Sequence, residues 1–284
     1  MIIQVLVNGI ILGSLYAVVA LGFSLVWGVM DVINIVHGTM IVMGAYVAFL
    51  LFETLHLDPF LSIPVAAFVL FFFGFYLQRY LVNFVVRAGV FISLILTFGM
   101  DQVVINALLL VFTGDYRSVT TSYAGTNFEV GGVVIPYVRL AIFLISILLT
   151  VALYLYTTRT KIGNAIRATA LNRDAARICG VNVPKIYGIT MGISAALAGA
   201  CGCMYATLQT FTPFDGGYLI GKAFVICVLG GLGTVMGAIV GGIALGVAET
   251  LGATLFDPRA QEIFGFIILV LVLIFRPKGI MGTK

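Results

Sequence analysis

Few side chains in this sequence could do chemistry, and their spacing argues against most of what they could do. Asp101 and Glu249 are carboxylates set in apolar runs, where two facing acids would suggest an intramembrane aspartyl protease. Gly192-Ile193-Ser194 could supply a serine nucleophile, with His37 or His56 as its base. The expected positions of the histidines oppose this: His37 falls near the cytoplasmic end of the first apolar run and His56 near the outer end of the second. Cys201-x-Cys203 could hold a metal, but no other ligand cluster accompanies it, and the pair reads as small buried helix residues. Gly216-x-x-x-x-Gly221-Lys222 has the spacing of a P-loop. Ala223, however, stands where Ser or Thr must reach Mg²⁺, and no strand precedes it. No catalytic residue and no metal ligand is assigned, and the chain reads as a non-enzyme.

The remaining polar residues lie inside apolar segments, where they are costly and therefore functional suspects. Asn8, Ser14, Tyr16, Gln102, Asn106, Tyr205 and Gln209 are the candidates to line any polar path between these segments. Gln102 and Asn106 share a helix face, and Asp101 points away from them, toward an interhelical partner. The plain alternative for each is an interhelical hydrogen bond. His37 reads as a cap or loop contact in the turn after the first span. Glu249 reads as a cap, or as the partner of a basic residue such as Arg259.

The elements that must position these residues are membrane spans. Of 284 residues, 62% are hydrophobic and 9% charged, against about 25% charged in soluble domains. So little charge excludes a soluble enzyme, a nucleic-acid binder and a disordered chain. The apolar runs are continuous, as in Leu140–Leu155, rather than alternating, which excludes a β-barrel. The expected fold is all-α, a polytopic membrane bundle of about eight or nine spans forming a single transmembrane domain over 1–284. Spans are expected at about 3–27, 38–55, 60–76, 90–112, 138–156, 186–208, within 222–251, and at 261–275.

Arg159, Lys161, Arg167, Arg173, Arg177 and Lys185 fall in one loop, Arg79 and Arg87 in another, and Arg276, Lys278 and Lys284 in the tail. The positive-inside rule places these regions in the cytoplasm, hence the N-terminus outside and the C-terminus inside. Crossing parity then requires 222–251 either to contain a short segment, a break and a second segment, which is the favoured reading, or to be in part re-entrant. Gly230, Gly231 and Gly233 mark the break, and Gly233, Gly237 and Gly241 form a packing ridge at i, i+4, i+8. Broken helices are tolerated where protein buries them.

The loop 158–184 is too polar to span and rich in alanine, with Gly180 as a helix stop and Pro184 beyond it. It reads as a short cytoplasmic helix that hugs the membrane or docks in a partner's groove. Its pattern, Gly163-x-Ala165-Ile166-Arg167-Ala168-x-Ala170-x-Asn172, then Ala175 and Gly180-Val181, resembles the coupling loop of ATP-binding-cassette importer permeases of the branched-chain amino acid class. Asn8-Gly9-x-x-x-Gly13-Ser14-x-Tyr16-Ala17 and Ile33-Asn34-x-x-His37-Gly38 resemble that family's first span and turn. Lys222-Ala223-Phe224 with the Gly230 region, and Arg276-Pro277-x-Gly279-Ile280-x-Gly282, resemble its later segments. The short length resembles the smaller of the family's two paired permeases.

The resemblance implies a complex with a second, homologous but non-identical permease, two cytosolic ATPases that bind ATP and Mg²⁺, and a periplasmic binding protein, all at a bacterial inner membrane. This chain would carry no cofactor of its own and bind no nucleic acid. Gly163, Arg167, Ala168, Asn172, Ala175 and Gly180 would couple to an ATPase. The cargo would be branched-chain or other neutral amino acids; urea or short amides are the alternative. A self-sufficient channel or carrier is a further alternative. The path is expected to be lined by neutral polar groups, without a fixed counter-ion.

Overall fold

The computed structural model describes residues 2–86, 88–121, 123–130, 132–257, 261–276 and 279–281. Arg87, Arg259, Lys278 and Lys284 therefore lie outside the described residues. Eight helices among the described residues are long and apolar enough to cross a membrane: α1 (Ile2–Met30), α2 (Val36–Leu55), α3 (Ile63–Val85), α4 (Val90–Phe112), α5 (Tyr137–Arg159), α8 (Val183–Leu208), α9 (Pro213–Gly230, helical from Gly216) and α10 (Val235–Leu255). Between α5 and α8 lie two shorter helices, α6 (Lys161–Leu171) and α7 (Arg173–Ile178). The last helix, α11 (Gln261–Phe275), is shorter than the spans but almost wholly apolar. The architecture is the expected helical bundle, with one addition. Asn127–Val130 and Val133–Pro136 pair as an antiparallel hairpin in the long loop before α5.

α1 and α8 form the centre, since most residues of each are buried. Their many small residues make this possible. Gly9 and Gly13 of α1 face Val247 and Ile243 of α10, and Gly242 and Gly246 of α10 face Ala17 and Gly13 in return. In lipid there is no hydrophobic drive between helices, so such close backbone contact is what holds them together. Across α8 the same device appears at Gly202, where an added Cβ would lie 2.0 Å from the carbonyl oxygen of Ile41. Gly202→Ala is accordingly expected to destabilise the bundle by about 1–3 kcal/mol or more, read as a lowered melting temperature and a lower yield of assembled protein. Gly99→Ala is the control: its Cβ would meet nothing within 4 Å, and it should leave both unchanged.

The expected break is present. α9 ends at Gly230 and α10 begins at Val235, after Gly231 and Gly233 adopt φ of +107° and +80°, values that glycine alone takes without strain. The Thr234 side chain caps α10 by accepting from the Gly237 amide at 3.1 Å. The carbonyls left open at the end of α9 are taken up by the chain's tail: Ile280 N–H donates to Leu229 and Met281 N–H to Gly230, at 2.8 and 2.9 Å.

Three expected boundaries move. The broken segment begins at Gly216 rather than near Lys222, because Thr212 and Asp215 close a capping box that starts the helix earlier. Lys222 is thus well inside a helix. α3 runs through a π turn at Gln78–Val82 to Val85, so Arg79 lies in the helix and not in a loop. The polar segment 158–184 is two helices rather than one. Asn172 interrupts it by accepting from the amides of Asp174 and Ala175, both at 3.0 Å, which is an N-cap for α7.

Candidate functional site

The start of α1, the end of α8, the start of α9, the end of α10 and the start of α11 meet at one end of the bundle around a cavity of about 570 Å³. Its polar lining includes Asn8, Tyr16, Arg139, Tyr205, Gln209 and Gln261. Its deepest α1 residue is Val19, eleven residues and roughly 16 Å beyond Asn8. The cavity thus penetrates about half the bundle from one side. The opposite end carries α6 and α7, tied to the end of α1 by the Arg173–Asp31 ion pair at 3.3 Å.

Of the expected path residues, Asn8, Tyr16, Tyr205 and Gln209 line this cavity together. Tyr205 donates its hydroxyl to Asp215 at 3.4 Å. Ser14 does not line it; it is buried beside the glycine ridge and donates to the Ile11 carbonyl at 2.6 Å. Gln102 and Asn106 are exposed on the outer face of α4, the Asn106 amide donating to the Gln102 carbonyl at 2.7 Å. Asp101 takes the other face of α4 and accepts from the Thr39 hydroxyl on α2, the interhelical partner expected for it.

His37 lies elsewhere than the spacing suggested. It is the second residue of α2, fully buried, with Nε2 2.9 Å from the carbonyl oxygen of Val19 at mid-length of α1. The segment 31–35 turns back into the bundle, which sequence spacing does not reveal. His37 Nδ1 and the Ser194 Oγ are 3.3 Å apart, so the serine and histidine once separated by topology are neighbours. Ser194 Oγ donates to the Gly22 carbonyl at 2.8 Å, both side chains are 0% exposed, and neither lines a cavity that a substrate could enter. Their geometry is that of a core hydrogen-bond network. The P-loop-like residues 216–222 are helical, and among the described residues no group of three or more His, Cys, Asp or Glu is placed for a metal. Cys201 lies at the cavity floor, and Cys203 contacts the Gly44 carbonyl at 3.6 Å.

One arrangement has a partner that the sequence does not name. Glu249, 0% exposed, does pair with a basic residue, and that residue is Lys222, across α9 and α10; Arg259 lies outside the described residues. Lys222 Nζ meets Glu249 Oε1. The Tyr16 hydroxyl donates to Oε2 at 2.8 Å and the Gln261 amide donates to the same oxygen at 3.1 Å. The Lys222 ammonium lies 5.1 and 5.7 Å from the centroids of the Tyr218 and Tyr16 rings. Tyr16, Tyr218 and Gln261 all line the large cavity, so the ion pair lies directly behind its wall. Together with Arg139, it means that charged groups do attend the cavity, against the expectation of neutral groups alone. The signal was present in the sequence as two ionisable residues in one apolar run, 27 positions apart, but nothing local says that they face each other.

On the opposite end, α6 packs Gly163, Ile166 and Thr169 inward. A Cβ at Gly163 would lie 2.3 Å from the Tyr156 carbonyl oxygen, so glycine is what lets α6 fold tightly against the end of α5. Arg167, Ala168, Asn172, Ala175 and Gly180 are exposed, and Arg167 donates to the Asn164 side chain at 2.7 Å. Gly180, at φ +84°, ends the motif. Leu171 and Ile178, which the sequence pattern had not singled out, are each 88% exposed beside these arginines. Asn172→Ala is expected to loosen α7 by about 1 kcal/mol, read as faster amide hydrogen exchange over 173–178 with α6 unaffected.

Comparison with known proteins covers nearly the whole chain. Residues 5–274 match the family described as the permease component of the branched-chain amino acid transport system. The high-affinity branched-chain amino acid transport system permease protein BraD of Pseudomonas aeruginosa is 35% identical over 294 aligned residues, covering 99% of this chain and 95% of that one. LivH of Escherichia coli, of the same description, is 29% identical, with 99% and 95% covered. LivM of Escherichia coli is 26% identical, covering 95% of this chain and 68% of that one. No solved structure matches the chain. These relatives are transport permeases, and the breadth of the match, together with the multi-pass bundle, places this chain in the family of branched-chain amino acid transport system permease components.

Proposed function

We propose that this chain is the transmembrane subunit of an ATP-binding-cassette importer and forms, with a second homologous permease, the path for branched-chain or other neutral amino acids. The observation that carries the reading is the division of the bundle. A cavity enters from one end and stops near Val19, while an exposed α6–α7 motif occupies the other. An alternating-access importer needs these two features on opposite sides of the membrane: an entry for cargo and a lever for the motor.

The basic residues of 159–185 assign the α6–α7 end to the cytoplasm, and the cavity then faces the periplasm, where a binding protein delivers cargo. Counting α11 as a ninth crossing brings the tail into the cytoplasm, opposite the N-terminus. Two cytosolic ATPases, which bind ATP and Mg²⁺, would receive α6 and α7 in their clefts. Gly163 sets the angle of the lever; Arg167, Ala168, Asn172, Ala175 and Gly180 shape its docking face. Asn8, Tyr16, Tyr205 and Gln209 line the entry.

The test is reconstitution of the full complex in vesicles of bacterial inner-membrane lipid, with the binding protein supplied outside the permease's entry face. ATP-dependent uptake of leucine, valine or isoleucine is expected, with urea not taken up. Uptake of leucine without ATP would show a self-sufficient carrier, and ATP-driven uptake of urea alone would overturn the substrate assignment.

A further inference from the structure

A second cavity, of about 160 Å³, lies beside the first and shares Tyr218 with it. The Lys222–Glu249 pair forms one side, and Val225, Leu245 and Phe266 form an apolar wall. A cavity of about 150 Å³ can take up benzene, so this space suits a small apolar side chain. We propose that the ion pair is an intramembrane recognition site for the zwitterionic head of an α-amino acid, whose apolar side chain lies against that wall. The proposal rests on the importer reading above and names the substrate chemistry of that path.

The argument begins with charge. An isolated charge in a bilayer is expensive, and a buried ion pair gains little stability over an apolar pair of the same volume. A site holding one cation and one anion side by side is neutral when empty. It stays neutral when a zwitterion enters, because the substrate ammonium replaces Lys222 at Glu249 and the substrate carboxylate takes the freed ammonium of Lys222. Neither a cation nor an anion of single charge is matched in this way, and neutral urea gains nothing from it.

The surroundings are arranged for such an exchange. Tyr16 and Gln261 both hold Oε2 of Glu249, while Lys222 occupies Oε1, so one oxygen is anchored and the other is the one exchanged. Gly265 faces the exchanged oxygen: a Cβ there would stand 3.0 Å from Oε1, across the approach to it. At Gly217 and Gly221, which also line the cavity, a Cβ would meet nothing within 4 Å, so this part of the wall is open. The rings of Tyr16 and Tyr218 hold the Lys222 ammonium by cation–π attraction while it changes partner. Tyr16 and Gln261 reach the same carboxylate from the large cavity, which connects the entry to the site.

The experiment uses the complete complex in proteoliposomes, with ATP and leucine-loaded binding protein. Lys222→Met combined with Glu249→Gln removes both charges and leaves no unpaired one, so the bundle should assemble. Leucine turnover per assembled complex is expected to fall at least tenfold. The exchanged pair, Lys222→Glu with Glu249→Lys, keeps the attraction but reverses the head's orientation against the apolar wall, and should also fall at least tenfold. A smaller loss in either assembled double variant overturns the proposal, because a purely structural pair would tolerate both changes. Should neither assemble, Tyr16→Phe decides, since it removes one hydroxyl from Glu249 and keeps the ring: at least a threefold loss of turnover supports the site, and a smaller change overturns it. If the parent complex takes up no branched-chain amino acid at all, it is the importer reading that fails; if the parent transports leucine and the variants match it, only this inference does.

Discussion

Lys222→Met alone is expected to deplete the folded protein from the membrane, and Glu249→Gln alone to do nearly the same. Each leaves a charge in a site where the side chains are 8% and 0% exposed. Breaking a buried pair by removing one partner costs about 3–5 kcal/mol, or roughly a hundredfold or more in the ratio of folded to unfolded protein. Glu249 would retain the Tyr16 and Gln261 donors, and Lys222 the two aromatic rings, so neither is stripped of every contact. Neither set supplies a counter-charge. The check is the amount of monodisperse protein extracted from membranes and its melting temperature, measured for both single variants and for the neutral double variant. Both singles should melt well below the parent, with the double variant recovering most of the difference. A double variant no more stable than the singles would mean that the two side chains do not act as a pair.

The second large effect is expected at the other end of the bundle. Arg167→Glu should reduce ATP-driven uptake and substrate-stimulated ATPase activity at least tenfold, without loss of assembly. Arg167 is exposed and, among the described residues, bonds within its own helix, through Asn164, so reversing its charge leaves the bundle's packing intact. Surface substitutions of this kind usually change stability by less than about 0.5 kcal/mol. Leu171→Asp should act in the same direction, because a leucine 88% exposed at the end of α6 suits an apolar cleft on the proposed motor. Parental coupling in both variants would remove α6 and α7 from the transmission of force.

The legible parts of this protein were those that depend on neighbours in sequence. Span existence, the break at Gly230–Gly233 and the polar α6–α7 segment follow from apolar run length, glycine spacing and charge, and the structure carries all three. Asn172 shows the limit of that reasoning. Its place in an alanine-rich run suggested a continuous helix, whereas its side chain competes for the backbone amides and splits the run in two. His37 shows a larger limit: its spacing points to a turn at the end of the first span, and the chain carries it back to mid-bundle.

Run length and charge alone establish that this chain lives in lipid and about how often it crosses, and they set the polar segment 158–184 apart from the spans. These are properties of local composition, since the bilayer demands a continuous apolar run wherever the chain crosses it. Only the tertiary structure decided which polar residues share a cavity, that Gln102 and Asn106 face outward instead, and that Lys222 and Glu249 meet. Tyr16 reaches Glu249 across 233 residues of chain. Such a contact depends on which helices pack side by side and at what depth, and the glycine ridges that set the packing permit a close approach without naming the partner.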